Sequence, residues 1–297
     1  MDEHPFYFSC NGSRIFAILH SPEQRAGGES GKGYIFCAPL GEEQVRTRRI
    51  FTTFARELAR RGSWVLRFDY RGEGDSDGHF EDASLETRVE DVRAAISELR
   101  RRAGVERVGL LGLRLGGTLA LLAGAERGEV EDLVLWAPIV DIYGYLYSAL
   151  RANLATQTLV YREIRATRDE LLERCRRGEP VNVQGFLFTW ALFEQARAID
   201  LSQHAQQYRG RSLVIDLARS TRDVGGDGNR SEARCLYEWL AASGVSDLMS
   251  IQREFSWEET PTWNPRPERL FSQTLEWVDA CRQPKKVEYG TPRPVSE

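Results

Sequence analysis

Two stretches hold residue types at spacings that could do chemistry. One is Gly112-Leu113-Arg114-Leu115-Gly116-Gly117, and the other is the glycine-rich run from Asp69 to Gly78. In the first, glycines flank a central position as G-x-X-x-G, the pattern of a strained strand-to-helix turn that normally mounts a nucleophilic serine. Here X is Arg114. A guanidinium is permanently protonated, with five donors and no acceptor, so it cannot attack a carbonyl carbon. The second run follows an apolar segment directly, and its glycines allow the positive φ angles of a tight crevice loop.

Hydrolysis at such an elbow needs a serine, an acid and a histidine in that chain order. The acid is expected at Asp223, with Asp216 as its alternative, after an apolar segment over Ser212–Leu217. The base has no candidate, because His4, His20, His79 and His204 all precede that segment. Where it would stand, the chain reads Phe255-Ser256-Trp257-Glu258-Glu259. Losing either group costs a triad enzyme several powers of ten in rate. No catalytic residue is therefore assigned, and ordinary serine hydrolysis is expected to be absent.

What survives is a place for negative charge. The N–H of Leu115 opens a helix, and a second N–H from Leu40 or Gly41 completes an oxyanion pocket. Arg114 at the positive end of that helix costs about 0.3–1 kcal/mol unless an anion lies beside it. Either Glu42, Glu43 or Asp223 pairs with it and plugs the pocket, or Arg114 binds the carboxylate or phosphate of a ligand. Trp257 completes the candidate ligand-binding set. Several other residues have plainer roles. His79 reads as a surface histidine, His204 as lying at the wrong end of the sheet, Ser76 as packing a turn and Cys37 as an inert core thiol.

These groups must be carried by a protein of 297 residues with 41 % hydrophobic and 28 % charged residues, an ordinary globular composition. Its formal charge of −4 argues against nucleic acid as a partner. Only Lys32, Lys285 and Lys286 are lysines, so a single surface arginine carries little information. Five cysteines without paired spacing argue for a reducing compartment and against a metal site, and no cofactor is expected. The acidic start Asp2-Glu3-His4 is unlike a secretory signal, so a cytoplasmic location is expected. The most apolar run, Val108–Ala125, is broken by Arg114 and two glycines and reads as buried core, not a membrane span.

Asn11-Gly12 between Phe6–Ser9 and Arg14–His20 predicts a hairpin. Strands over Tyr34–Ala38, Trp64–Phe68, Arg107–Gly112 and Leu133–Ala137 then alternate with helices over Arg46–Arg61, Leu85–Arg101 and Leu115–Glu126. Residues 141–204 break the rhythm and read as an aromatic, helical insertion. Alternation resumes with strands over Ser212–Leu217 and Asp247–Glu254 and helices over Ser231–Ala242 and Arg266–Cys281. The expected fold class is α/β, a mostly parallel sheet covered by helices on both faces. The core is expected over 1–140 and 205–283, a cap over 141–204 and a polar tail over 284–297.

The elbow, with this element order, resembles the α/β-hydrolase superfamily, in the manner of serine aminopeptidases. Ala38-Pro39-Leu40-Gly41-Glu42-Glu43, Arg46 to Arg49, Phe68-Asp69-Tyr70, Leu135-Trp136-Ala137-Pro138 and Gly185-Phe186-Leu187 are similar to the exosortase A system-associated hydrolase-like proteins with arginine at the elbow. The resemblance implies a role in bacterial exopolysaccharide or envelope biosynthesis. Three readings stay open. The first is a non-catalytic or altered homologue binding a small anionic or acyl ligand. The second is a hydrolase or acyl transferase of esters, thioesters or amides, using Asp223, Cys37 or His79. The third is a subunit that binds a protein partner through its aromatic cap.

Overall fold

The computed structural model describes residues 2–23, 31–126, 128–218, 231–258 and 266–280. The chain opens with the predicted hairpin, β1 (Glu3–Cys10) and β2 (Ser13–His20). Cys10 pairs with Ser13, so Asn11 and Gly12 form a two-residue turn with both φ angles positive. Then come β3 (Gly33–Cys37), α1 (Glu42–Arg60), β4 (Trp64–Phe68), α2 (Leu85–Ala103), β5 (Val108–Leu113), α3 (Leu115–Ala125) and β6 (Val130–Trp136). Every residue of β3 and β5 is buried, as strands covered on both faces require. Helix α2 is fixed at both ends, by a Ser84–Thr87 capping box and by Gly104 in the left-handed region.

The insertion follows: α4 (Ile142–Ala149), α5 (Arg151–Tyr161), α6 (Arg168–Arg176), β7 (Val181–Val183), β8 (Phe186–Phe188), α7 (Trp190–Ala198) and α8 (Leu201–Gln207). It is not wholly helical as expected, because β7 and β8 form an antiparallel pair. Their turn places Gln184 and Gly185 at positive φ, a geometry that Gly185 suits and that three-residue strands are too short to announce. The chain then completes the main sheet with β9 (Arg211–Ala218), α9 (Glu232–Ala241), β10 (Val245–Gln252) and α10 (Glu268–Ala280).

Eight strands form one sheet in the order β1-β2-β4-β3-β5-β6-β9-β10, antiparallel only at β1, β2 and β4. From β4 to β10 all pairs are parallel. Right-handed crossovers in such a sheet leave the crevice beyond the carboxyl ends of the strands, where β3 and β5 lie side by side. One boundary differs in a way that matters. Helix α1 begins at Glu42, four residues before the predicted start, since Gly41 at φ 58° caps it and the acidic residues Glu42 and Glu43 fill its first turn. At the opposite end of the sheet Asp132 is buried and accepts from Tyr34 at 2.7 Å, from Arg211 at 2.7 Å and from Lys32. The Asp132 charge is thus compensated by two cations, and the cluster closes that end.

Candidate functional site

Two helix N-termini converge on the crevice. Arg114 is the N-cap of α3 with φ 54° and ψ −127°, and Gly41 is the N-cap of α1 with φ 58° and ψ −125°. A non-glycine residue in this region stores strain of about 1–3 kcal/mol and persists only where its surroundings hold it. Those surroundings are backbone. A Cβ on Gly116 would overlap the carbonyl oxygens of Cys37 and Ala38, and one on Gly112 would overlap the Gly116 carbonyl. The flanking glycines thus let α3 start hard against the end of β3. That contact brings the Leu40–Glu43 loop beside the elbow.

The crevice holds a cavity of about 410 Å³. Leu40, Gly41, Glu42, Glu43, Arg114 and Trp257 all line it, so six of the eight residues singled out from the sequence come together. Leu115 is fully buried behind the elbow and presents no side chain to the cavity. Asp223 lies outside the described residues. Its alternative, Asp216, sits on β9 and does not line the cavity.

Arg114 Nε is 3.5 Å from Glu43 Oε1. Its guanidinium carbon lies 5.0 Å from the centroid of the Trp257 ring and 5.4 Å from that of Tyr145. Of the carboxylates considered as partners, the first turn of α1 thus offers Glu43, while Glu42 pairs with Arg46 at 3.2 Å. Satisfaction is incomplete. Arg114 Nε, Glu43 Oε2 and Trp257 Nε1 are buried without a hydrogen bond among the described residues. Burial raises the Glu43 pKa, opposed by the Arg114 charge and by the nearby Tyr145 hydroxyl. Burial, with Glu43 close by, likewise holds the Tyr145 hydroxyl protonated.

Arg46 and Tyr145 were not among the predicted site residues. Arg46 donates to the carbonyls of Trp257, at 3.4 Å, and Glu258, and so ties the segment after β10 to α1. Its spacing of four from Glu42 is a helical ion-pair signal that the sequence does contain. Tyr145 has no such local signal; only the folding of α4 over the sheet brings it there. Val183, Phe186 and Phe188 of the insertion supply an apolar wall, and Arg151 stands at its edge.

No histidine lines the cavity. His4 and His79 are exposed, His20 at the end of β2 is buried against Arg67, and His204 lies in a separate cleft between α2, α3 and α8. Cys37 is fully buried, and burial pushes its thiol up to about 12, leaving it an inert acid at neutral pH. Ser76 bonds the carbonyl of Asp69 and the N–H of Phe16, which pins the Asp69–Gly78 loop to β2. Among the described residues no group of His, Cys, Asp and Glu side chains could hold a metal ion, and no helix is long and apolar enough to cross a membrane.

Comparison with known proteins agrees with this architecture. A family model described as serine aminopeptidase, S33, matches residues 45–183. No curated protein matches the chain. Among solved structures, Est1E from Butyrivibrio proteoclasticus with ferulic acid bound superposes with a TM-score of 0.66 at 17% identity, covering 93% of this chain and 98% of that one. The α/β hydrolase GrgF from Penicillium sp. sh18 gives 0.64 at 16% identity, covering 94% and 99%. The Pyrococcus furiosus esterase PF2001 gives 0.62 at 15% identity, covering 94% and 91%. Strand order, the glycine-framed elbow and these likenesses together establish that the chain has the α/β-hydrolase fold.

Proposed function

We propose that this protein does not hydrolyse esters or amides but uses the elbow cavity to hold a small ligand with a carboxylate head and an apolar acyl body. The observation that carries this reading is Arg114. Its guanidinium faces the cavity with the half-buried carboxyl of Glu43 beside it, at 3.5 Å, and aromatic rings of Trp257 and Tyr145 against it. A carboxylate entering beside Arg114 would supply the full negative charge that burial discourages on Glu43. It would also meet the first N–H groups of α3, which begin at Leu115. The acyl body would run along Val183, Phe186 and Phe188. A cavity of 410 Å³ is of the size that holds small ligands.

The resemblance to exosortase A system-associated proteins supports a ligand drawn from exopolysaccharide or envelope biosynthesis. Residues 141–204 serve in this reading as the cap that closes the cavity. Calorimetric titration tests the proposal with decanoate and decanol as a matched pair. Decanoate is expected to bind and decanol to bind about tenfold or more weakly, with Arg114→Met abolishing the difference. Equal binding of both compounds, or a preference untouched by Arg114→Met, would contradict it.

A further inference from the structure

Helix α5 starts at the cavity, where Arg151 and Ala152 line the wall, and ends in solvent. At that outer end Leu159 is 73% exposed, Val160 60% and Tyr161 48%; Ile164 follows at 58%, just past a left-handed turn at Arg162. Single exposed aliphatic residues need no explanation, but four within six positions form a patch of the kind that marks a contact surface. The one buried residue of α5 is Gln157, whose side chain bonds the backbone of Arg165 and Ala166 and so fixes the fold of the tip. The patch is held out by built structure.

Its charge identifies the occupant. Residues 151–177 contain seven arginines and four carboxylates, in a chain whose overall charge is −4. Arg165 lies over the Tyr161 ring at 3.7 Å and Arg168 over Tyr147 at 4.5 Å, so cations sit at the rim of the apolar patch. Beside it opens a cleft of about 430 Å³ lined by Tyr161, Arg165 and Arg174. A second copy would oppose an identical basic rim across a two-fold axis and be repelled. An anionic bilayer matches both features at once, since its phosphates attract the rim and its acyl boundary accepts the apolar side chains.

The geometry points to the tip of α5 as a docking surface for the face of an anionic membrane, with Leu159, Val160, Tyr161 and Ile164 entering the headgroup boundary and Arg162 and Arg165 meeting lipid phosphates. From Ala152 to Val160 a helix rises about 12 Å, so a docked tip holds the cavity mouth close to the lipid surface. This proposal does not depend on what the cavity binds, and either can fail alone.

Flotation of the full chain with vesicles tests it. Vesicles of phosphatidylcholine with phosphatidylglycerol should carry the protein, and pure phosphatidylcholine vesicles should carry about tenfold less. The double variants R162Q/R165Q and L159E/I164E, which alter exposed side chains only, should each lower binding to the anionic vesicles about tenfold. Absence of binding to anionic vesicles would overturn the proposal, as would binding that neither variant changes. Self-association that L159E/I164E abolishes, without vesicle binding, would assign the patch to a second copy and equally overturn it.

Discussion

The guanidinium of Arg114 packs against the indole of Trp257, 5.0 Å from ring centroid to guanidinium carbon. Arg114 stands where the elbow pattern has its serine, and Trp257 lies in the segment after the final strand, where the histidine would be. The two side chains touch each other. A cation over a buried indole is stabilised by about 1–2 kcal/mol, an interaction that neither a serine nor an imidazole at these positions would provide. Arg253 packs against the same ring at 4.6 Å, so two cations contact the indole. Arg46, Arg114 and Arg151 share the cavity with Glu42, Glu43 and Glu258, so its charges balance, and the indole supplies an aromatic wall beside Arg114.

The elbow depends on glycine at position 116, because its backbone approaches the ends of β3 with no room for a methyl group. Gly116→Ala should destabilise the fold by about 3 kcal/mol or more, since the atoms in the way are main-chain carbonyls. Gly104→Ala is the comparison. That glycine, unlike Gly116, has positive φ, but it faces open space, so its loss should cost only about 1 kcal/mol. Urea denaturation of the two variants measures the difference; equal costs would contradict the close approach.

Glu43 titrates in a direction that can be read from stability. Burial raises its pKa in the folded chain, so between the ordinary glutamate value of about 4.3 and neutrality the unfolded chain releases this proton first. The protonated folded state then loses stability as pH rises through that window. Glu43→Gln removes the loss, and the variant should gain on the wild type as pH rises from about 4 to 7. Denaturation midpoints across that range give the answer, and a difference independent of pH would rule out a buried, reluctant carboxyl.

His20 behaves in the opposite sense. It is fully buried, and its Nε2 accepts from Arg67 Nε at 3.0 Å. Burial, with the Arg67 charge, lowers its pKa to about 4 from 6.5. Above pH 6.5 the ring is neutral in both states; as pH falls toward 4 the unfolded chain takes up a proton first, and stability of about 3 kcal/mol is lost. His20→Gln should lose less stability than the wild type between pH 6.5 and 4, by about 3 kcal/mol. A difference between wild type and His20→Gln that does not change with pH would show that His20 is not buried as a neutral ring.

Local signals made the frame of this protein legible. Asn11-Gly12 set the hairpin, apolar runs set the parallel strands, and Gly112 and Gly116 set the elbow, because each depends on neighbours within a few residues. Four of the missed features have physical reasons. The first turn of α1 is acidic, so hydrophobic periodicity begins only later and Glu43 appeared to lie in a loop. The β7–β8 pair is too short for a period-two pattern to register. Arg46 meets Trp257 across more than two hundred residues, and Tyr145 reaches Arg114 only by the fold of the insertion. Such contacts are tertiary and leave no mark at short range.

The most direct test of the central claim is to assay purified protein with short-chain p-nitrophenyl esters and a fluorophosphonate probe, alongside Arg114→Ser. The account predicts no enzymatic turnover and no labelled serine in the wild type. It predicts that Arg114→Ser stays at least about a thousandfold below a complete triad, because no histidine lines the cavity. Robust turnover by the wild type, or probe attached to one of its serines, would contradict it.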